Sequence, residues 1–111
     1  KTNTDAIKQG TSVLMEQIPR WRPQEGKRKS KINLYYWYYG TLALHRLQGE
    51  DWPRWNRAMQ ASLIPLQRQD GDLAGSWDPV TVWGPYGGRA YTTAMAALCL
   101  EVYYRYLPLY Q

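Results

Sequence analysis

The residues best suited to metal chemistry in this chain are few and far apart. His45 and Cys99 are its single histidine and its single cysteine, and each lies within an apolar run. A catalytic zinc site takes three protein ligands, and the spacing of residues indicates no third one here. A cysteine alone in an apolar helix typically packs as a small hydrophobic residue. We therefore predict no metal site and no cofactor.

One pair of carboxylates has a spacing that could serve acid–base chemistry. Asp70 and Asp72 stand in the glycine-rich stretch QDGDLAGSW. Paired carboxylates can act as general acid and base when their environments separate their pKa values. A solvated or helix-capping role is the alternative, and the loop position favours it. The sequence predicts no catalytic residue.

Aromatic residues are the most unusual part of the composition. The chain has six tryptophans, ten tyrosines and no phenylalanine, so almost every ring carries a polar atom that needs a partner when buried. Ring faces can also stabilise cations or line an apolar ligand site. The five candidates for such a lining are Trp37, Tyr38, Tyr39, Tyr91 and Tyr103. Core packing is the alternative that their helical spacing favours.

A basic run, GKRKSK, contributes much of the formal net charge of +5. Its candidates for contact with an anion are Lys27, Arg28, Lys29 and Lys31. Trp21 lies between Arg20 and Arg22 and could stack on a base. A basic loop is more often simply solvated, and the surrounding sequence has no nucleic-acid recognition pattern. Nucleic acid is therefore not the predicted partner.

Four helical segments account for most of the chain and must position these residues. Pro19 ends the first, Asn33 caps the second and Gly49 closes it, Asp51 caps the third, and Pro65 kinks or ends the third. Strands are a poor alternative because the tyrosine-rich runs do not alternate polar with apolar residues. The predicted segments are residues 5–18, 33–49, 51–65 and 90–107.

The segments alternate in polarity. The first and third have a polar face and should lie outside, whereas the second and fourth are apolar almost all round, which is typical of helices buried on all sides. Tyr39-Gly40-Thr41 and Tyr91-Thr92-Thr93 are related by a shift of 52 residues. The sequence thus predicts an all-α chain of two repeated helix pairs, 5–49 and 51–107.

The loop between the third and fourth segments carries a family resemblance. Gln67, Asp70, Gly71, Gly75 and Trp77, in QRQDGDLAGSW, resemble the glutamine–tryptophan repeat of squalene and oxidosqualene cyclases. GPYGGRAYTTAMAALCL resembles the entry into an inner helix there and in protein prenyltransferase beta subunits. YYWYYGTLAL and EVYYRYLPLY resemble uncharacterised bacterial members of that superfamily. The resemblance covers residues 33 to 110.

This resemblance implies hairpin repeats of an alpha–alpha toroid. It also implies a structural clamp, in which Gln67 or Gln69 bonds the backbone at a helix end while Trp77 covers it, with Asp70 and Gly75 in the same motif. The aspartate-rich acid motif of the cyclases, the zinc ligands of the prenyltransferases and a thioester motif are not found in this sequence.

Length limits what the chain can form. Its 111 residues make one domain, and two helix pairs cannot close a toroid that stacks about five to seven of them. We therefore expect a fragment or terminal part of a larger toroid, or copies that assemble. The predicted function is a non-catalytic helical repeat module for protein assembly or binding.

Two alternatives to this function stay open. One is a fragment of a terpene-cyclase-like or prenyltransferase-like enzyme, and the other is a module that binds a lipid or isoprenoid. No stretch of about 18 apolar residues indicates a transmembrane segment. A single cysteine leaves the compartment undetermined.

Overall fold

The computed structural model describes residues 2–21, 32–82 and 84–105. Its described part is all-helical and contains no strand, so the predicted fold class is confirmed at this level. A closed toroid and a repeat arrangement stay predictions. The four helices are α1 (Thr2–Glu16), α2 (Leu34–Leu47), α3 (Asp51–Leu63) and α4 (Gly84–Arg105).

Helices α2 and α4 lie side by side and form the most extensive contact among the four described helices. They run in the same direction, because Tyr35 lies beside Tyr91 near one end while Leu44 and Tyr103 share a cluster further along. Helix α3 packs against both of them, and α1 packs against α3. The thinnest dimension of the molecule is 20 Å, which is two helix diameters.

The helix ends match the predictions from the sequence at some positions and differ from them at others. Asn33 caps α2 as predicted, since its side chain accepts a hydrogen bond from the Tyr36 amide at 3.1 Å. Gln48, in the left-handed conformation, ends α2 where Gly49 was expected. Glu50 is the N-cap of α3, so the predicted cap Asp51 lies one residue inside the helix. Pro65 ends α3 as predicted, in a 3₁₀ turn over Ile64–Leu66.

Two hydrophobic clusters hold the layers together. The smaller one centres on Trp55, whose indole nitrogen donates a 2.9 Å hydrogen bond to the Thr41 hydroxyl. Gly40 makes this approach feasible, because a Cβ there would lie 2.7 Å from the Trp55 ring. The larger cluster contains Ile32, Leu34, Trp37, Met59, Leu63, Trp77, Ala96 and Cys99.

Helix α4 differs from its prediction at its start. It begins at Gly84, before the predicted position 90, and Gly88 interrupts it with a φ of 74° and a ψ of −169°. A positive φ of this kind is disfavoured for any residue with a side chain. The main part of α4 therefore begins after this kink, close to the predicted start.

In the single chain α2 and α4 are not buried on all sides, and burial on all sides stays a prediction for an assembled or longer protein. Tyr35 and Tyr39 of α2 are exposed, as are Ala94 and Ala97 of α4. The reason is geometric: each helix finds neighbours towards α3 and towards the other, and the remaining side faces solvent.

Candidate functional site

The loop that follows α3 folds back on itself through backbone hydrogen bonds. The Gly75 amide donates to the Arg68 carbonyl at 2.7 Å, and the Arg68 amide donates to the Ser76 carbonyl at 2.8 Å. Gly75 has a φ of 86°, a conformation that favours glycine. Asp70 and Asp72 lie at the exposed tip of this loop, and neither belongs to the described lining of the groove between α2 and α4.

Trp77 links this loop to two helices. Its indole nitrogen donates a 2.8 Å hydrogen bond to the Leu63 carbonyl at the C-terminal end of α3. Its backbone amide donates to the Thr93 hydroxyl of α4 at 3.1 Å. The last carbonyls of a helix have no partner further along the helix. Trp77 therefore covers the end of α3 and supplies a hydrogen-bond donor to one of these carbonyls.

The two candidate glutamines make other contacts than the resemblance implies. The Gln67 side chain donates to the Gly75 carbonyl at 3.0 Å, within the loop. The Gln69 side chain donates to the Gln67 carbonyl at 3.1 Å. In this chain the tryptophan therefore makes the side-chain bond to the helix end, while the glutamines stabilise the loop.

An ion-pair cluster that the sequence analysis missed secures the same loop. Asp78 accepts a bidentate pair of hydrogen bonds from Arg68 at 2.9 and 2.7 Å. Arg89 of α4 donates to the same carboxylate and to the Ser76 hydroxyl, both at 2.9 Å. The hydrogen bonds from Arg68, followed by the one from Arg89, hold the pKa of Asp78 below its usual value. Contacts across a loop have no periodic signal in sequence.

The five aromatic residues predicted to line an apolar site do not surround one cavity. Trp37 is buried in the larger cluster, and Tyr38 packs against it. Tyr103 packs against the smaller cluster around Trp55. Tyr39 is exposed, with its ring edge-on to that of Tyr35 at a centroid distance of 4.9 Å. Only Tyr91 of the five lines the groove described next.

A groove of about 460 Å³ lies between the start of α2 and the start of α4. Its described lining consists of Tyr35, Tyr86, Gly87 and Tyr91. We call it the tyrosine groove. Tyr35 and Tyr86 were not predicted as site residues, because they come together from positions far apart in the chain. A tyrosine flanked by glycines, as in GPYGG, is the local signal that could have drawn attention to Tyr86.

Burial affects the titration of Tyr91, the deepest tyrosine of the groove. Burial, with smaller effects from Tyr35 and Cys99, raises the pKa of Tyr91. A side-chain hydrogen bond with Tyr35 raises the pKa of the neighbouring Tyr39. The Tyr91 phenol therefore keeps its proton, so it offers the groove a neutral hydroxyl donor and a ring face.

The remaining candidates lie apart from the groove. His45 packs edge-on against Trp52 at a centroid distance of 4.9 Å, whereas Cys99 is buried in the larger cluster. Within the described ranges, no group of three or more His, Cys, Asp or Glu residues is placed to hold a metal ion. Lys27, Arg28, Lys29 and Lys31 lie outside the described residues.

Comparisons with known proteins add no relative to this picture. No protein-family model, no curated protein and no solved structure matches the chain. Among the described helices, none combines the length and the apolar character needed to cross a membrane.

Proposed function

We propose that this chain is a non-catalytic helical module that assembles with protein through the exposed sides of α2 and α4. The observation that carries the proposal is the composition of these sides. We call them together the inner-helix face, which consists of Tyr39, Ala43, Leu47, Ala90, Ala94 and Ala97.

Both sides of this face point the same way. The buried residues of α2 and α4 meet Met59 and Leu63 of α3 in the larger cluster, so the exposed residues of both helices are turned away from α3. Two adjacent parallel helices then present one continuous surface. Leu47 is 43% exposed and Tyr39 is 53% exposed on it.

The chemistry of the face suits another helix. Alanines at positions 90, 94 and 97 recur at helical spacing along α4, and small side chains allow a neighbouring helix axis to approach closely. Charged residues enter only towards the C-terminal ends, at Arg46, Glu101 and Arg105. Apolar surface left in water costs roughly 25 cal/mol per Å², so covering this face stabilises the assembled state.

Native mass spectrometry of the purified chain tests the proposal, with a second copy as the partner. We expect an oligomer that Ala94→Glu dissociates, because an unpaired charge buried in an interface costs roughly 3 kcal/mol, or about two orders of magnitude in affinity. Ala61→Glu is the matched control, since Ala61 is an exposed alanine on α3.

Three outcomes would count against the proposal. A monodisperse monomer at micromolar concentration would show that the chain is stable without a partner on its inner-helix face. An oligomer that survives Ala94→Glu would place the interface elsewhere. A retained lipid of defined mass would favour the ligand-binding alternative over assembly.

A further inference from the structure

We propose that the tyrosine groove binds a proline-rich segment of a partner protein in the extended polyproline II conformation. This site lies at the N-terminal end of α2 and α4 and goes beyond the assembly proposed for the inner-helix face. Both the shape of the groove and the absence of charge from its described lining support the inference.

The groove is formed by rings at three levels of exposure. Tyr86 is 86% exposed and Tyr35 is 52% exposed, so they form the walls, while the half-buried Tyr91 lies deeper. Gly87 allows this arrangement, because a Cβ there would lie 2.6 Å from Cγ of Tyr91. The kink at Gly88 separates the turn that carries Tyr86 from the helix that carries Tyr91.

Charge complementarity narrows the class of occupant. The described lining of the groove has no acidic or basic side chain, so a charged ligand would lose hydration without gaining a partner. A saccharide would likewise leave many hydroxyls without the carboxylate or amide partners that they need. The occupant should therefore be uncharged and poor in hydrogen-bond donors.

The open shape of the groove distinguishes between an apolar small molecule and a proline-rich peptide as its occupant. A single acyl chain or isoprenoid would keep much of its length in water in an open groove, whereas buried ligand sites enclose most of the ligand surface. A polyproline II segment has apolar rings that pack on flat aromatic faces, and its backbone forms no internal hydrogen bonds. Aromatic-lined grooves are the surfaces on which such segments dock.

Tyrosine is better suited to this role than a purely apolar residue. The carbonyls of a proline-rich segment need donors, and proline offers no amide hydrogen in return. The Tyr91 hydroxyl stays protonated because its pKa is raised, so it can donate to such a carbonyl. Ring faces and a neutral donor at the base of an open groove match this ligand class.

The test is a titration of the whole ¹⁵N-labelled chain with a blocked oligoproline of about ten residues, roughly three turns of polyproline II helix. A blocked Gly-Ser peptide of equal length is the matched ligand control. We expect saturable shifts of the Tyr35, Gly87 and Tyr91 amides with oligoproline alone.

Two variants localise the binding. Tyr86→Ala should weaken it by about two- to tenfold, the range expected for loss of one ring contact. Tyr104→Ala removes a ring that is 68% exposed and outside the groove lining, and it should leave the affinity unchanged. Both side chains are largely in solvent, so circular dichroism should show native helicity in both variants.

Several results would overturn the inference. These are no saturable shift with oligoproline, an equal response to the Gly-Ser peptide, or equal weakening by both variants. Shifts that follow protein concentration alone would assign the groove to a second copy. Displacement of oligoproline by a fatty acid would assign it to an apolar small molecule. Failure of the assembly proposal would instead appear in the mass spectra, which do not depend on this titration.

Discussion

Replacing Trp77 with phenylalanine tests whether the indole ties the loop to α3. The side chain is 2% exposed, and its nitrogen donates to the Leu63 carbonyl at 2.8 Å. Phenylalanine keeps an aromatic ring at the position but removes the donor. The Leu63 carbonyl then stays buried without that partner.

The expected loss has two parts. A buried acceptor left unsatisfied costs about 1–3 kcal/mol, and the smaller ring leaves a cavity that adds roughly 1 kcal/mol. We therefore expect the free energy of unfolding to fall by about 2–4 kcal/mol. Domains of this kind have total stabilities of roughly 5–15 kcal/mol, so the variant should still fold but at a markedly lower urea midpoint.

Trp52→Phe is the matched control. Trp52 is 8% exposed and belongs to the smaller cluster, and its indole donates no hydrogen bond within the described part of the chain. This variant should lose only the packing part, about 1 kcal/mol. Urea unfolding followed by far-ultraviolet circular dichroism measures both variants against the parent.

Gln67→Ala distinguishes the indole from the amide as the main tie. The Gln67 bond to Gly75 is exposed, so its loss should cost no more than about 1 kcal/mol. Equal losses for Trp77→Phe and Trp52→Phe would refute the assigned role of the indole hydrogen bond. A larger loss for Gln67→Ala than for Trp77→Phe would restore the glutamine to the role that the resemblance implies.

Two further predictions concern buried positions. Gly40→Ala should destabilise the chain by about 1–3 kcal/mol, because the added methyl overlaps the Trp55 ring; Gly10→Ala, in open space on α1, should stabilise it by about 0.5–1 kcal/mol. A shift of the urea midpoint in the same direction in both variants would contradict this prediction. Burial raises the pKa of Cys99 to about 12, so iodoacetamide at about pH 8 should label the unfolded chain and leave the folded chain unmodified. Labelling of the folded chain at the rate of a free thiol would show an accessible site.

The helical architecture was predictable because its signals are local. Pro65 cannot continue a helix without losing a hydrogen bond, and Asn33 offers a side-chain acceptor to the first turn. Both act within a few residues, and both appear in the structure as expected. The end of α2 was misplaced by one residue because Gln48 adopts the left-handed conformation that glycine usually supplies.

The tyrosine groove was not predictable by the same means. Tyr35 and Tyr86 meet only because α2 and α4 pack side by side, and a helical pattern does not specify which neighbour a given face will meet. The predicted lining took rings from α2 and α4 without regard to the helix face on which each ring lies. Trp37 points towards α3 and Tyr39 towards solvent, so they cannot share one cavity.

The aromatic composition predicts that buried tryptophans and tyrosines have hydrogen-bond partners, and some of these residues follow that rule while others do not. Trp55 and Trp77 both donate buried hydrogen bonds, to Thr41 and Leu63. Tyr36 does not follow the rule, because its buried hydroxyl has no hydrogen-bond partner among the described residues. Burial raises the pKa of Tyr36, with a smaller effect from Glu16.

Thr41 and Thr93 occupy matching positions in the two tyrosine–threonine runs, and each accepts a hydrogen bond from a tryptophan. Trp55 donates to Thr41 through its indole, and Trp77 donates to Thr93 through its backbone amide. The donors differ, so the match supports a shared position rather than a repeated contact. In both cases the tie comes from α3 or the loop that follows it. These two tryptophans therefore tie α3 and the loop that follows it to α2 and to α4.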